Sequence, residues 1–537
     1  MSKIQKEKKT ALDFLDDNRQ WLSDFHMEIW NLAEPAFREY KSAAAYVKLL
    51  RDDGWTVEEG SGEMPTAFCA VWGEGKPVIG GFAEYDAVPG TSQANVPYKK
   101  PRDAKLHPYA AGHTDPHSAL GAGALFGFLA AKHAMEKHGL KGKLKLFGEP
   151  AEKVCGSKPV HAAKGYYDDF NASLPYHPSG YNTVRYEINA ASYWNTLYTF
   201  ESVNPENWFR PKNIPFKMLG HAGGRMPAAL DAVCLMYTAT KYVEDAMLPY
   251  TAYWTLNEYI MVGGQATSDN LPPRIAQIQY AHRAPLLEMQ GQISKVLDNT
   301  AKGIAQITGC RVTKRIIART RTGLSNMKLS EILYRNLETV GPPVFNEEAR
   351  QFGRKLQENL GFEAMEDPFT ENCQKLMPID YIDKDIRYQF PDWVTYQGSD
   401  DYVAYQWTAP STRLNTANAT LRNPNPDKPL PMWARFALNG YSACIDPGIV
   451  TAAKTLGATI VDLVTHPTDL AEAQREFVDR TGGGIGGNKW VEPLLAKDFY
   501  PPIDLPWPEY VTTQRGFEWS LTKPGPEKEY KVLHEGM

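Results

Sequence analysis

The sequence predicts an α/β fold: a mixed open sheet with helices on both faces, plus an inserted α+β lid and dimerisation domain. Three observations predict it. Short apolar runs alternate with helical stretches in the first third of the chain. Each run ends in acidic residues or a histidine. From about residue 195 the texture changes, and near residue 323 it changes back.

Residues 11–52 read as helical, with Leu12, Leu15, Trp21, Ile29, Leu32, Tyr46 and Leu49 set among charges. "KPVIGGFAEYDAVPG" is strand-like to Phe82, then carries Glu84, Asp86 and a Pro-Gly turn. "HSALGAGALFGFLAAKHAMEKHG" reads as a helix, and "KGKLKLFGEPAEK" as a strand followed by Glu149 and Glu152. "FNASLPYHPSG" is a third strand, ending in His177. Polar residues just past each strand gather at the carboxyl ends, where open sheets carry their sites.

The inserted region shows strands in "YWNTLYTFE", "RIAQIQYAHRA" and "GCRVTKRIIART", and two amphipathic helices between them. The chain therefore divides into a catalytic first part (1–194), a lid (195–322) and a catalytic second part with a C-terminal arm (323–537). Residues 409–440 and 485–537 are rich in Pro, Asn and aromatics and read as long ordered loops or arms.

A chain of 537 residues exceeds one hydrophobic core. With a net charge of −5 it has no basic excess, which argues against nucleic acid or an anionic membrane as partner. The six cysteines are scattered, so reduced thiols are expected. The lysine-rich start lacks a signal peptide's apolar core, and no run approaches a membrane span, so the expected location is the cytoplasm. No phosphate-binding or dinucleotide motif appears.

The densest cluster is "YAAGHTDPHSALGAG". His113 and His117 stand four apart, so one helical face can present both to a metal, with Asp115 adding an oxygen. The same spacing also suits a helix start with one structural histidine. His177 and Glu152 follow other strands and strengthen the metal reading. Imidazoles with a carboxylate fit Zn²⁺, Mn²⁺ or Co²⁺. Glu152 suits a general base beside metal-activated water, or equally a charge at a helix N-terminus. His221 sits in a glycine-rich turn opening a lid helix and is a candidate oxyanion donor. Arg283, at a strand end, is a candidate grip for a substrate carboxylate.

Taken in order, these segments resemble metallopeptidase family twenty, nearest its aminobenzoyl-glutamate hydrolase and amidohydrolase branch. "AEYDAVPG" resembles the family's acidic turn segment, "AGH" at 111–113 its Cys-Gly-His and "PAEK" its Pro-Ala-Glu-Glu. His177-Pro178 resembles its strand-end His-Pro, and "GHAGGRMPAALDAV" its lid motif. "NLPPRIAQIQYAHRAP" resembles the lid segment whose Asn and Arg are here Asn270 and Arg283, and "GSDD" a late Gly-Ser-x-Asp. The resemblance implies a zinc-exopeptidase-like fold, dimerisation through the lid, and hydrolysis of an N-acyl amino acid or aryl amide. Glu152, His221, Lys153 and Asp86 are then catalytic, and Asn270 and Arg283 bind substrate.

The sequence departs from that family's two-metal pattern. In this alignment the bridging position is Ala111, a ligand Glu is Lys153 and the late His is Asp446. The departures imply one labile divalent ion on His113 and His177, with Asp115 or Glu149 and with His117 as a further candidate. The Lys153 ammonium takes the second ion's place, paired with Asp446. Two rivals share these residues: a hydrolytic deaminase acting on an activated aromatic amine, and a metal-free binding or regulatory protein.

Overall fold

The computed structural model describes residues 4–102, 109–204, 227–248, 253–264, 271–514 and 516–519. The N-terminal helical stretch is three helices, α1 (Lys6–Asp17), α2 (Arg19–Leu32) and α3 (Tyr40–Asp52). Left-handed Ala33 ends the second of them.

The main sheet follows. Its strands are β1 (Thr56–Glu59), β2 (Phe68–Glu74), β3 (Val78–Ala83), β4 (Gly142–Gly148) and β5 (Ala172–Ser173), in the order β1-β2-β4-β3-β5. β3 runs parallel to β4 and β5, while β1 and β2 are antiparallel, so the sheet is mixed. α4 (His117–His138) connects β3 to β4, and α5 (Lys158–Ala163) precedes β5. Both faces of β3 are covered. A Cβ on Gly81 would meet the Phe128 ring of α4 at 2.5 Å, and one on Gly80 the Phe170 ring at 2.3 Å. Only glycine lets these rings lie flat on the strand.

The expected third strand is two short ones, β6 (Tyr176–Ser179) following β5, and β7 (Thr183–Val184) comes after. The lid sheet then begins with β8 (Asn189–Glu201), and continues with α6 (Ala229–Met247), β9 (Thr255–Val262), β10 (Ile275–Ala284), α7 (Leu287–Thr308) and β11 (Arg311–Arg319). Its order is β11-β8-β10-β9, and β9 is a strand beyond the three that the sequence predicts there. Alternation along β8 divides two cores. Tyr198 and Phe200 pack with α6 and α7. Tyr193 and Leu197 face the catalytic body, joining Phe37, Ala151 and Ile317.

The return segment holds α8 (Met327–Val340), α9 (Glu347–Asn359), α10 (Tyr381–Gln389), β12 (Tyr396–Ser399), α11 (Val403–Gln406) and β13 (Leu414–Ala417). It ends with α12 (Met432–Asn439), α13 (Ser442–Thr465), α14 (Pro467–Thr481) and a hairpin, β14 (Tyr510–Thr513) and β15 (Gly516–Trp519). Residues 409–440 are thus not simply a loop. β13 lies between β6, to which it is parallel, and β7. In the C-terminal arm, Leu495, Leu505 and Trp507 fill the core between lid and body, and Arg38 donates to the carbonyls of Ile503 and Leu505.

One expectation is corrected here. α13 is long and apolar enough to cross a membrane, with a mean hydropathy of 1.3, yet 83% of that window is buried inside the protein. It packs along α4, which makes it a core helix.

Candidate metal centre

The site gathers where parallel strands end. Glu84 and Asp86 follow β3, Glu152 and Lys153 follow β4, His177 lies in β6, and Asp400 and Asp401 follow β12. Pro116 is the residue before α4, so His117 is the helix's first residue and Asp115 stands just ahead of it. The turn bearing Glu152 and Lys153 is flanked by two left-handed non-glycine residues, Ala151 (φ 57°) and Cys155 (φ 51°). Such backbone is costly and is found where a side chain must be aimed. A hydrogen bond of 2.8 Å from the Ala151 amide to buried Glu39 holds it there.

Among the described residues, three groups of side chains come close enough to share a cation. They are Glu84 with His117 and His177, Asp86 with His117 and Glu152, and Glu152 with Asp400 and Asp401, each within 4.8 Å of one another. The histidines are oriented for it. His117 Nδ1 contacts Asp86 Oδ1 at 2.5 Å, and His177 Nδ1 contacts the Pro178 carbonyl at 2.7 Å. With Nδ1 so engaged, both rings turn Nε2 to the cluster, as the outer partners of metal-bound histidines arrange. Glu84 Oε2 is buried without a hydrogen-bond partner among the described residues, 3.2 Å from His117 Nε2. Asp115 Oδ2 lies 3.7 Å from His117 Nε2 and 3.6 Å from His177 Nε2. Ligands about 2.1 Å from a tetrahedral ion stand about 3.4 Å apart, so this nitrogen and oxygen set fits a divalent cation.

Charge points the same way. Among the described residues, Lys153, Lys158 and Arg413 are the Lys and Arg side chains ion-paired with the carboxylates Glu84, Asp115, Glu152, Asp400 and Asp401, and Asp86 pairs with His117. Burial raises Glu152 above the ordinary carboxylate range, with Lys153 opposing and Glu84 adding to it. Burial and then Lys153 push His117 down, but Glu84, Asp86 and Asp115 outweigh them and hold it well above the usual imidazole value, so a cation bound at Nε2 would take the place of that proton. Burial also works to raise Asp115, but Lys153 and His117 outweigh it and hold the carboxyl well below the usual range.

The structure brings His117, His177, Asp115, Glu152, Lys153 and Asp86 together and leaves two of the expected ligands elsewhere. His113 is not among the groups that can share an ion. It is 3% exposed, its Nε2 lies 3.4 Å from the Ile29 carbonyl, and burial lowers it to about 3. The Cys-Gly-His resemblance at 111–113 falls four residues early, and Asp115-Pro116-His117 is the segment at the site. Glu149 is also not a ligand. It accepts hydrogen bonds from Tyr167, Tyr405 and His161, whose Nε2 meets Ser61, in a fully buried network. Asp446 is not the partner of Lys153. It lies 3.9 Å from His26, while the Lys153 ammonium contacts Asp115 at 2.6 Å, His117 Nε2 at 2.8 Å and Glu152 at 3.4 Å.

Arg283 lies on β10 with its guanidinium 4.9 Å from the Tyr193 ring centre, near enough to pull the buried Cys155 thiol down against burial. His221 and Asn270 lie outside the described residues. Five further residues, Glu84, Lys158, Asp400, Asp401 and Arg413, join the site without a role that sequence reasoning assigns. Lys158 is fully buried and bridges Glu84 and Asp401 at 2.6 Å each, and Arg413 pairs with Asp400. The one signal for Glu84 is its place two residues before Asp86 at a strand end.

No family model matches the sequence. The chain is 26% identical over 474 residues to a component of the p-aminobenzoyl-glutamate hydrolase of Escherichia coli, covering 86% of this chain and 93% of that protein. It is 23% identical over 325 residues to the Xaa-Arg dipeptidase of Homo sapiens, covering 58% of this chain and 66% of the other. Its fold resembles the crystal structure of an aminobenzoyl-glutamate utilization protein from Klebsiella pneumoniae, with TM-score 0.51 and 13% identity over 83% of this chain and 98% of that one.

Proposed function

We propose that the chain is a hydrolase of metallopeptidase family twenty, like the p-aminobenzoyl-glutamate hydrolase component it resembles, and that it hydrolyses the C–N bond of an N-acyl amino acid or aryl amide at a divalent cation. The observation that carries this reading is the pair His117 and His177. Both are tied at Nδ1 and offer Nε2 beside Glu84, Asp115 and the raised carboxylate of Glu152.

A cation held there would supply a nucleophile by acidifying water. Glu152 takes the water's proton and returns it to the leaving nitrogen; a carboxylate that burial raises above its ordinary range suits both steps. Asp86 fixes the His117 tautomer and the Lys153 backbone. Arg283 holds a substrate carboxylate from the lid side, and His221 is the lid's donor to the developing oxyanion.

We read the site as holding one ion, Zn²⁺, Mn²⁺ or Co²⁺. The Lys153 ammonium, bound to Asp115 and Glu152, fills space a second ion would need. Its contact with His117 Nε2 uses the lone pair that the ion itself would take. An ion held by His117 would have to replace that contact, with Asp115 and Glu152 still holding the ammonium, and its retention would be correspondingly weak.

The test is purified full chain with each of the three ions against a panel of N-acyl amino acids and aryl amides. The expected result is a carboxylic acid plus an amine, with Glu152→Gln slower by about 10²–10⁴-fold. Release of ammonia alone would favour the deaminase. No cleavage of any amide by ion-loaded protein would overturn the reading.

A further inference from the structure

α2, the link from α8 to α9 and the first half of α13 enclose a cleft of about 550 Å³. None of its lining residues belongs to the groups that gather at the metal centre. Its charged lining residues are Arg19, Lys454 and Asp446. The first two share one carboxylate, both reaching Asp16 Oδ1, at 2.5 and 2.6 Å. Two cations on one anion leave positive charge in excess at that end.

Asp446 stands eight residues before Lys454, about 12 Å along the helix axis. Among the described residues it has no Lys or Arg partner, and the ring it meets is His26 at 3.9 Å. Burial lowers that ring to about 3, so it brings no charge. Burial pushes Asp446 itself up to about 6, with the Ser23 hydroxyl opposing and Asp24 adding to it, the mark of a carboxylate without a cation. Between the two ends Val450 lies one turn from each, on the i, i+4 row of α13, and Val340, Val344 and Pro447 line the cleft with it.

This layout selects a ligand by its two ends. A plain carboxylate leaves Asp446 unmatched, a plain amine meets the excess positive charge, and an apolar ligand desolvates Asp446 without replacing its water. A ligand with an ammonium at one end, a carboxylate at the other and methylenes between meets all three requirements. A hydrogen bond of about 3 Å at each end leaves about 6 Å of the 12 Å for the chain, roughly five methylenes. We propose that the cleft is a ligand site separate from the metal centre and that it takes an ω-amino carboxylate. The ammonium sits on Asp446, the carboxylate on Arg19 and Lys454, and the methylenes on Val450.

The test is calorimetry on ion-loaded full chain with 6-aminohexanoate, hexylamine and hexanoate. The wild type binds 6-aminohexanoate about tenfold more tightly than hexylamine, the worth of one charge-assisted hydrogen bond. Asp446→Asn weakens 6-aminohexanoate about tenfold and leaves hexanoate unchanged. Lys454→Gln weakens 6-aminohexanoate by a similar factor and leaves hexylamine unchanged. Each variant reads its own end of the cleft, so either one decides if the other does not fold. Wild-type affinity in the folded variants would put the probe elsewhere on the protein and overturn the assignment. So would a wild-type chain that binds no 6-aminohexanoate up to about 10 mM.

Discussion

Asp86 holds His117 with one carboxylate oxygen and the Lys153 backbone amide with the other, at 2.5 and 2.9 Å. One fully buried side chain thus sets both the ring that offers Nε2 and the turn that carries Glu152. Asp86→Asn keeps the shape but presents an amide where the imidazole N–H needs an acceptor. We expect ion affinity to fall about 10–100-fold, the usual cost of losing an outer partner of a ligand. Chelator competition measures it. Wild-type affinity in a folded Asp86→Asn protein would show that the contact does not orient the ligand.

Lys158 offers a second test, of stability. Its ammonium is wholly buried between Glu84 and Asp401, above the Phe82 ring. Lys158→Met leaves two buried carboxylates without their cation, and such losses cost about 3–5 kcal/mol. The double variant with Asp401→Asn removes one of the stranded charges and should recover part of this. Denaturant unfolding of the three proteins reads both effects. A single variant within about 1 kcal/mol of wild type would mean the pair contributes no net stability.

The strand ends are legible in the sequence because apolar runs of strand length stop at Ala83 and Gly148 and acidic residues follow at once. The choice between His113 and His117 is not legible. Each stands two residues after Ala111 or Asp115 across one intervening residue, and both triplets fit the same pattern. What decides is tertiary. Pro116 stands just before α4, so His117 is carried on the helix, while His113 is enclosed against Ile29. Lys158 is unreadable for another reason: its partner Asp401 is 243 residues away, and no local pattern announces that meeting. The path of the C-terminal arm escapes for the same reason, since Arg38 holds carbonyls at Ile503 and Leu505.

Acid stability follows from His26. It is fully buried, neither ring nitrogen has a hydrogen-bond partner among the described residues, and burial lowers it to about 3. A histidine depressed in the fold takes up its proton more readily when unfolded. Its contribution is therefore whole above about pH 6.5 and is lost as pH falls toward 3, at about 1.4 kcal/mol per pH unit. Asp446, which faces it at 3.9 Å, runs the other way. Burial raises it to about 6, so its contribution grows as pH falls from 6 to the ordinary carboxylate value. His26→Leu should flatten the acid side of the stability curve by about one proton. Unfolding midpoints at about pH 7, 6, 5 and 4, with chelator present throughout, decide it; parallel curves for the two proteins would rule it out.

The number of ions bound depends on Lys153, and that dependence can be counted. The ammonium sits between Asp115 and Glu152, where a second cation would need the same oxygens. Wild-type protein should therefore saturate at one ion per chain, by elemental analysis after dialysis and by native mass spectrometry. Lys153→Glu exchanges a cation for a carboxylate at the same place. It removes two units of positive charge from a cluster already dominated by Glu84, Asp86 and Asp115, and it offers two further oxygens. Occupancy should rise toward two ions, and the first should bind more tightly. Lys153→Met removes the charge without adding a ligand, so it should tighten the first ion, by freeing His117 Nε2, while the count stays at one. Two ions on the wild-type chain would show that the ammonium moves aside for a metal, and the single-ion reading would then be abandoned.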